Sequence, residues 1–211
     1  MYRLLFLLLL IPTGICRADS EIIRFKVFLN DQEVGRHSFT LTEDGSNLRV
    51  TSQASMDFKV LLVKKIKYRH LAKEVYKDGC LQSVKSSTQR NNKSTTISAK
   101  IIAGKFVVTN AGVDVSLNDC IKSFAYWRPE WLDNEFLLNV ETGQYTPITF
   151  QSQQDSSTGM THKMLGLPKT DIRLQYSESG AWQSLESDVK VAGKLRYERI
   201  DESEEESNAS I

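Results

Sequence analysis

Beyond residue 18 the chain has no long hydrophobic run, and nothing there approaches the roughly 20 consecutive apolar residues of a transmembrane helix. Histidine is as scarce as cysteine, with three of each in 211 residues. His37, His70 and His162 lie far apart, and no close Cys/His pair announces zinc. Catalytic signatures are absent too: the chain has no GxSxG elbow, no HExxH, no P-loop and no GxGxxG, and Ser98-Ala99-Lys100 is a three-residue coincidence on a strand-like segment. The acids are scattered over turns and wet faces, with no inward pair of the kind glycoside hydrolysis needs. An enzyme with an unrecognised site is therefore the least favoured reading, and no cofactor and no metal are expected. Charge of one sign is also missing. With 27 bases against 26 acids the formal net charge is +1, and no concentrated Lys/Arg stripe marks a nucleic-acid partner.

What the chain does have begins at its first residue. In MYRLLFLLLLIPTGICRA, Arg3 precedes an apolar run from Leu4 to Ile11, Pro12 and Gly14 break the helix, and small Ala18 offers a cleavage point. This is the layout of a secretory signal peptide, so residues 1–18 are expected to be removed and the mature protein exported. A lipid anchor at Cys16 is not expected, because Ile15 and Thr13 stand where a small residue and a Leu-like one belong. The leader takes Arg3 and Arg17 and no acid, leaving 25 bases and 26 acids. Five of those acids fall in DESEEESNASI, residues 201–211. That tail buries too little apolar surface to offset its ordering entropy and is expected to be disordered. Only Cys80 and Cys120 remain in a compartment that permits disulfides. A bridge between them would close a loop of about 40 residues, worth roughly 3 to 4 kcal/mol in the chain-entropy model.

The dominant periodicity is two. Ile23, Phe25, Val27 and Leu29 alternate with Arg24, Lys26 and Phe28, and Leu48, Val50, Ser52, Ala54, Met56 and Phe58 share one face. Ile66, Tyr68, His70 and Ala72 line another strand, and Lys77-Asp78-Gly79 turns it into Leu81–Thr88. Turns at 89–93 and 103–105 lead on to strands at 95–102 and 106–109, and the C-terminal third repeats the pattern around Ile172, Leu174 and Tyr176. These are antiparallel meanders without βαβ crossovers. They predict an all-β, mainly antiparallel single domain over 19–200: a curved sheet, half-barrel or barrel of about ten strands. One short helix is expected over 129–138, opened by Pro129 and acidic Glu130. Gln151–Gly159, polar and without apolar residues, reads as a loop.

Two clusters are candidates for function. Phe124–Leu132 (FAYWRPEWL) packs aromatics around Arg128, so Tyr126, Trp127 and Trp131 can offer rings and Arg128 a cation to a ligand, or the segment can simply plug one end of the sheet. Tyr68 and His70, if inward, are polar groups in an apolar interior that must find partners or line a wet pocket. Lys64, Lys65 and Lys67 form a basic cluster suited to an anionic membrane surface, or only to a protected strand edge.

The run beginning at Phe25 (FKVFLNDQEVGRHSF), Tyr68-Arg69-His70, Asp78-Gly79-Cys80-Leu81, the Cys120–Pro129 segment (CIKSFAYWRP), Asn139 with Thr142-Gly143, and Trp182 with Leu195-Arg196-Tyr197-Glu198 resemble a family of uncharacterised exported proteins of Gram-negative bacteria. The resemblance covers nearly the whole mature chain and implies bacterial export and a Cys80–Cys120 pairing. A looser, architectural likeness links the pattern to periplasmic lipoprotein carriers, in which a curved antiparallel sheet with a helix across its mouth holds acyl chains. Fold alone does not transfer function. The leading expectation is a monomeric, non-enzymatic binding or carrier-type protein for a lipid-like or other apolar ligand. The alternative is an envelope interaction or assembly protein that touches a partner protein or the membrane surface.

Overall fold

The computed structural model describes residues 19–60, 64–117, 120–190 and 192–201. The expected leader and, after Asp201, the expected acidic tail lie outside the described residues.

The chain runs through β1 (Asp19–Leu29), β2 (Gln32–Asp44), β3 (Asn47–Val60), β4 (Lys64–Lys77), β5 (Cys80–Arg90), β6 (Lys93–Ile102), β7 (Lys105–Asn110) and β8 (Val113–Leu117). After a 3-10 turn at Pro129–Trp131 come β9 (Phe136–Asn139), β10 (Gln144–Pro147), β11 (Thr149–Gln154), β12 (Thr161–Gly166), β13 (Asp171–Tyr176), β14 (Trp182–Val189) and β15 (Gly193–Arg199). Thirteen strands form one antiparallel sheet in the order β11-β12-β13-β14-β15-β1-β2-β3-β4-β5-β6-β7-β8, and β9 and β10 form a separate hairpin. Two meanders are thus joined where β1 pairs with β15, in the order of an up-and-down barrel cut open between β8 and β11.

Alternation decides which face is covered. On β3, Leu48, Val50, Ser52, Ala54 and Met56 are buried while Arg49, Gln53 and Ser55 are exposed. The inward rows of the other long strands continue this pattern through Phe25, Phe39, Leu81, Val84 and Ile97. The concave face they form also carries small residues, Gly35, Ser52, Ala54, Ala72 and Ser86. A Cβ at Gly35 would lie 2.0 Å from the Ser55 carbonyl oxygen, so this close approach of β2 to β3 requires glycine.

The segment from Cys120 to Ile148 fills the hollow. Ile121, Ala125, Leu132, Leu137 and Leu138 are at most 1% exposed. Its backbone is tied to the sheet by Leu81 N–H donating to the Ile121 carbonyl at 2.9 Å, by Ser86 Oγ donating to the Val140 carbonyl at 2.5 Å, and by Tyr176 Oη donating to the Tyr126 carbonyl at 2.9 Å. Lys163 Nζ donates to the Pro129 carbonyl at 2.9 Å. At the entry to the segment Cys80 and Cys120 form a disulfide, with Cα atoms 4.9 Å apart.

Three expectations are corrected in detail. The helix expected over 129–138 is confined to the turn Pro129–Trp131, because Phe136–Asn139 pairs with β10 and Leu138 N–H is taken by the Lys122 carbonyl at 2.8 Å. The sheet has thirteen strands where about ten were expected, the surplus being short strands whose apolar alternation is weak. Gln151–Gly159 begins in strand, since β11 is an edge whose mostly exposed side chains give no burial signal.

Removing the bridge should cost the stability that its loop confers. Across a separation of 40 residues, Cys80→Ala/Cys120→Ala is expected to lose roughly 3 to 4 kcal/mol in urea denaturation. An unchanged midpoint would contradict a structural role for the bridge.

Candidate functional site

On β4 the inward set runs through Tyr68, His70, Ala72, Glu74 and Tyr76. In the neighbouring strands His37 stands opposite Ala54, and Ala54 opposite His70, so the two imidazoles share one row with a methyl group between them. Between this row and the plugging segment a space is left that Ser52 also lines. A cavity of about 210 Å³ remains, walled by Phe39, Phe124, Tyr126, Trp127, Leu167 and Ile172. The polar groups reaching it are His37, Ser52, Tyr68, His70, Glu74, Ser123, Asn139, Glu141 and Tyr197.

Nearly all of these are partnered within the protein. His37 bonds Ser52 Oγ through Nε2 at 2.7 Å and Tyr197 Oη through Nδ1 at 3.2 Å. His70 Nδ1 lies 2.8 Å from Thr88 Oγ1. Tyr68 Oη donates to Glu141 at 3.1 Å, and Arg90 holds the other oxygen of that carboxylate at 2.8 Å. Glu74, 2% exposed, accepts a 2.5 Å bond from Tyr76 Oη, which is also 2.7 Å from Ser123 Oγ. Among the described residues, Trp127 Nε1–H is buried with no hydrogen-bond acceptor.

Burial sets the charge state of the site. Desolvation, with repulsion from His70, lowers the His37 pKa to about 3, so this ring is neutral. Desolvation also lowers His70, against a smaller opposing pull from Glu141. The Glu74 carboxyl is pushed up by burial, partly offset by its bonds to Tyr76 and Ser123, and burial raises the Tyr68 and Tyr126 hydroxyls above their ordinary range. The Ser52–His37 contact has the spacing of a nucleophile and its base. A base with a pKa near 3 does not take a serine proton at neutral pH, and Nδ1 meets a tyrosine hydroxyl where a carboxylate would orient and strengthen it. The pair reads as a satisfied polar contact inside the sheet.

Of the side chains singled out from sequence, Tyr68, His70, Tyr126 and Trp127 converge on this cavity. Arg128 does not reach it and instead pairs with Glu43. Trp131 packs on the Tyr76 ring at 4.9 Å and carries the Lys122 ammonium over its face at 4.5 Å. Both make contacts that fix the plugging segment. Sequence reasoning missed His37, Glu74, Glu141 and Tyr197. For Glu74 the signal was available, because carrying the Tyr68-His70-Ala72 alternation two residues further puts it on the same inward face. Glu141 gave none: it reaches the cavity only because Asn139 Oδ1 accepts from the backbone N–H groups of Glu141 and Thr142, at 2.9 and 3.2 Å, and so turns the chain there.

Residues 25–200 match the family model described as Domain of unknown function (DUF6134). The chain belongs to this family. No curated protein matches this DUF6134 chain in sequence. Among solved structures it is similar to a crystal structure of a beta-barrel-like protein of the domain of unknown function DUF1849 from Brucella abortus. The TM-score is 0.59 at 10% identity, covering 85% of this chain and 95% of that one. At that identity the likeness shows the fold, a barrel-like β architecture, and no more.

The pKa directions give the DUF6134 chain a pH-dependent stability. A histidine lowered from 6.5 to about 3 holds fewer protons in the folded than in the unfolded state, so its contribution falls away as pH drops below 6.5. Between pH 6.5 and 4.5, His37 is expected to cost about 2 kcal/mol. Urea titrations of His37→Gln should show that part of the slope removed; a slope equal to wild type would contradict it. Glu74 acts in the opposite sense. Its raised carboxyl loses stability as pH climbs above the ordinary value of 4.5, so the stability of Glu74→Gln relative to wild type should grow from pH 4.5 upward.

Proposed function

We propose that the protein is an exported, non-enzymatic binding protein of the bacterial envelope that holds a small, largely apolar ligand between its concave face and the 120–148 segment. The layout of residues 1–18 supports export. The observation that carries ligand binding is the space itself, about 210 Å³ left beneath the plugging segment and walled largely by rings and aliphatic groups, Trp127 among them. Sites for small ligands are concave and mostly apolar, with a few polar groups converging on them.

Size and charge narrow the occupant. The cavity of about 210 Å³ corresponds to roughly seven water volumes, below the range of drug-sized pockets. One short acyl chain or one substituted ring fits; the several chains of a lipoprotein do not. Rings and aliphatic groups make most of the wall. Of the titratable groups on its wall, burial leaves His37 uncharged and pushes the Glu74 carboxyl up, while the Glu141 carboxylate is already held by Arg90 at 2.8 Å. A neutral ligand, rather than an ionised one, therefore suits the space.

The test is native mass spectrometry of the protein recovered from the periplasm of a Gram-negative host. A recurrent small adduct is expected. It should disappear in Ile172→Trp, which fills the space from β13. Repeated recovery of adduct-free wild type would overturn the reading.

A further inference from the structure

The nearly balanced charge of the chain conceals a sorting by face. On the outer, convex side of β2–β6, the exposed side chains include Arg36, Arg49, Arg69, Lys73, Lys85 and Lys100. Within that field the acid is Asp57, held by Arg69 at 2.8 Å, while Glu33 and Asp44 stand at strand ends. The cations are also placed against one another. Lys73 lies directly opposite Lys85 on β4 and β5, and Lys59 directly opposite Lys65 on β3 and β4. Like charges in facing positions destabilise a sheet. The same molecule does otherwise on β13–β15, where Arg173 faces Glu186 and Glu186 faces Arg196, and where Arg173–Asp188 and Lys194–Glu186 form further pairs at 3.7 and 3.8 Å. A face that only keeps the protein soluble would mix its signs as β13–β15 do.

We infer that the convex face of β2–β6 binds a flexible acidic polysaccharide. Three features select that partner. The surface curves away from a plane, so a flat bilayer meets only its crest, whereas a flexible chain follows the strands around it. No aromatic ring points outward from β2–β6 among the described residues, so the stacking platforms of single-stranded nucleic-acid binders are missing. Between the cations stand Ser38, Thr40, Thr51, Gln53, Ser55 and Ser87, hydroxyls and amides matched to a hydroxyl-rich sugar chain. Carboxylates along such a chain would relieve the Lys73–Lys85 repulsion that the folded protein otherwise bears.

This inference is independent of the cavity, and its experiment separates the two. Full-length protein with the leader removed is passed over immobilised alginate, a uronic-acid polymer, with anionic phosphatidylglycerol vesicles, single-stranded DNA and neutral dextran as comparators. Alginate should be retained best, with affinity falling steeply as salt rises. The variant Arg36→Gln/Arg49→Gln/Lys73→Gln/Lys85→Gln should bind alginate at least about tenfold more weakly, with a shallower salt dependence. It should keep any small adduct seen by mass spectrometry, and Lys85→Gln alone should melt no lower than wild type, since it removes a repulsion. Failure to bind alginate at low salt, equal binding by the fourfold variant, or preferential retention of vesicles or DNA would each overturn the assignment.

Discussion

A thirteen-strand antiparallel sheet that stops short of closing leaves a concave face it cannot cover with its own side chains, and the rest of the molecule answers to that fact. Phe25, Phe39, Trp182 and Tyr197 stand on this face, with Phe25 and Trp182 centroids 4.2 Å apart. Left open, they would form an apolar surface of the kind that drives aggregation. The chain solves the problem locally, by spending the connection between β8 and β11 as filler. Backbone inside a core needs partners for its carbonyls, and those partners come from sheet side chains: Ser86, Tyr176 and Lys163 each donate to one. Polar residues at inward positions are thus the means by which an irregular segment can be buried at all.

This accounts for what the sequence makes legible. Period-two alternation in Ile23–Leu29 and Leu48–Met56 identifies the long strands, because each has one dry and one wet face and so records its environment in its residues. The Cys80–Cys120 bridge follows from counting, once the leader is set aside. The short strands escape for the opposite reason. β8 (VDVSL) alternates but is only five residues long with both valines exposed, and β11 (TFQSQQ) is an edge with little to bury, so neither marks a dry face long enough to read as a strand. The 129–138 segment misleads because Pro129 and Glu130 are good helix starters, yet a segment packed into a hollow takes whichever backbone its carbonyl partners dictate. Tertiary contact overrides local propensity there.

The site divides in the same way. Tyr68 and His70 are readable as inward polar residues on a patterned strand, and Trp127 as an aromatic in a dense cluster. His37, Glu141 and Tyr197 join them only through the pairing of β1 with β15 and of β2 with β3, and through the turn at Asn139. Those are long-range relations, and a single sequence carries no local mark of them.

β4 shows how one strand serves both faces. Its even-numbered residues from Tyr68 to Tyr76 face inward, with Tyr68, His70 and Glu74 on the cavity wall, while Lys67, Arg69 and Lys73 stand on the convex surface. A slip of one residue in its pairing with β3 would carry Lys73 into the core and Ala72 into water, exchanging the two sets completely. Burying an unpaired ammonium is far costlier than the facing-charge repulsion the native register accepts between Lys73 and Lys85. The cations outside therefore help to fix the register that assembles the polar groups inside.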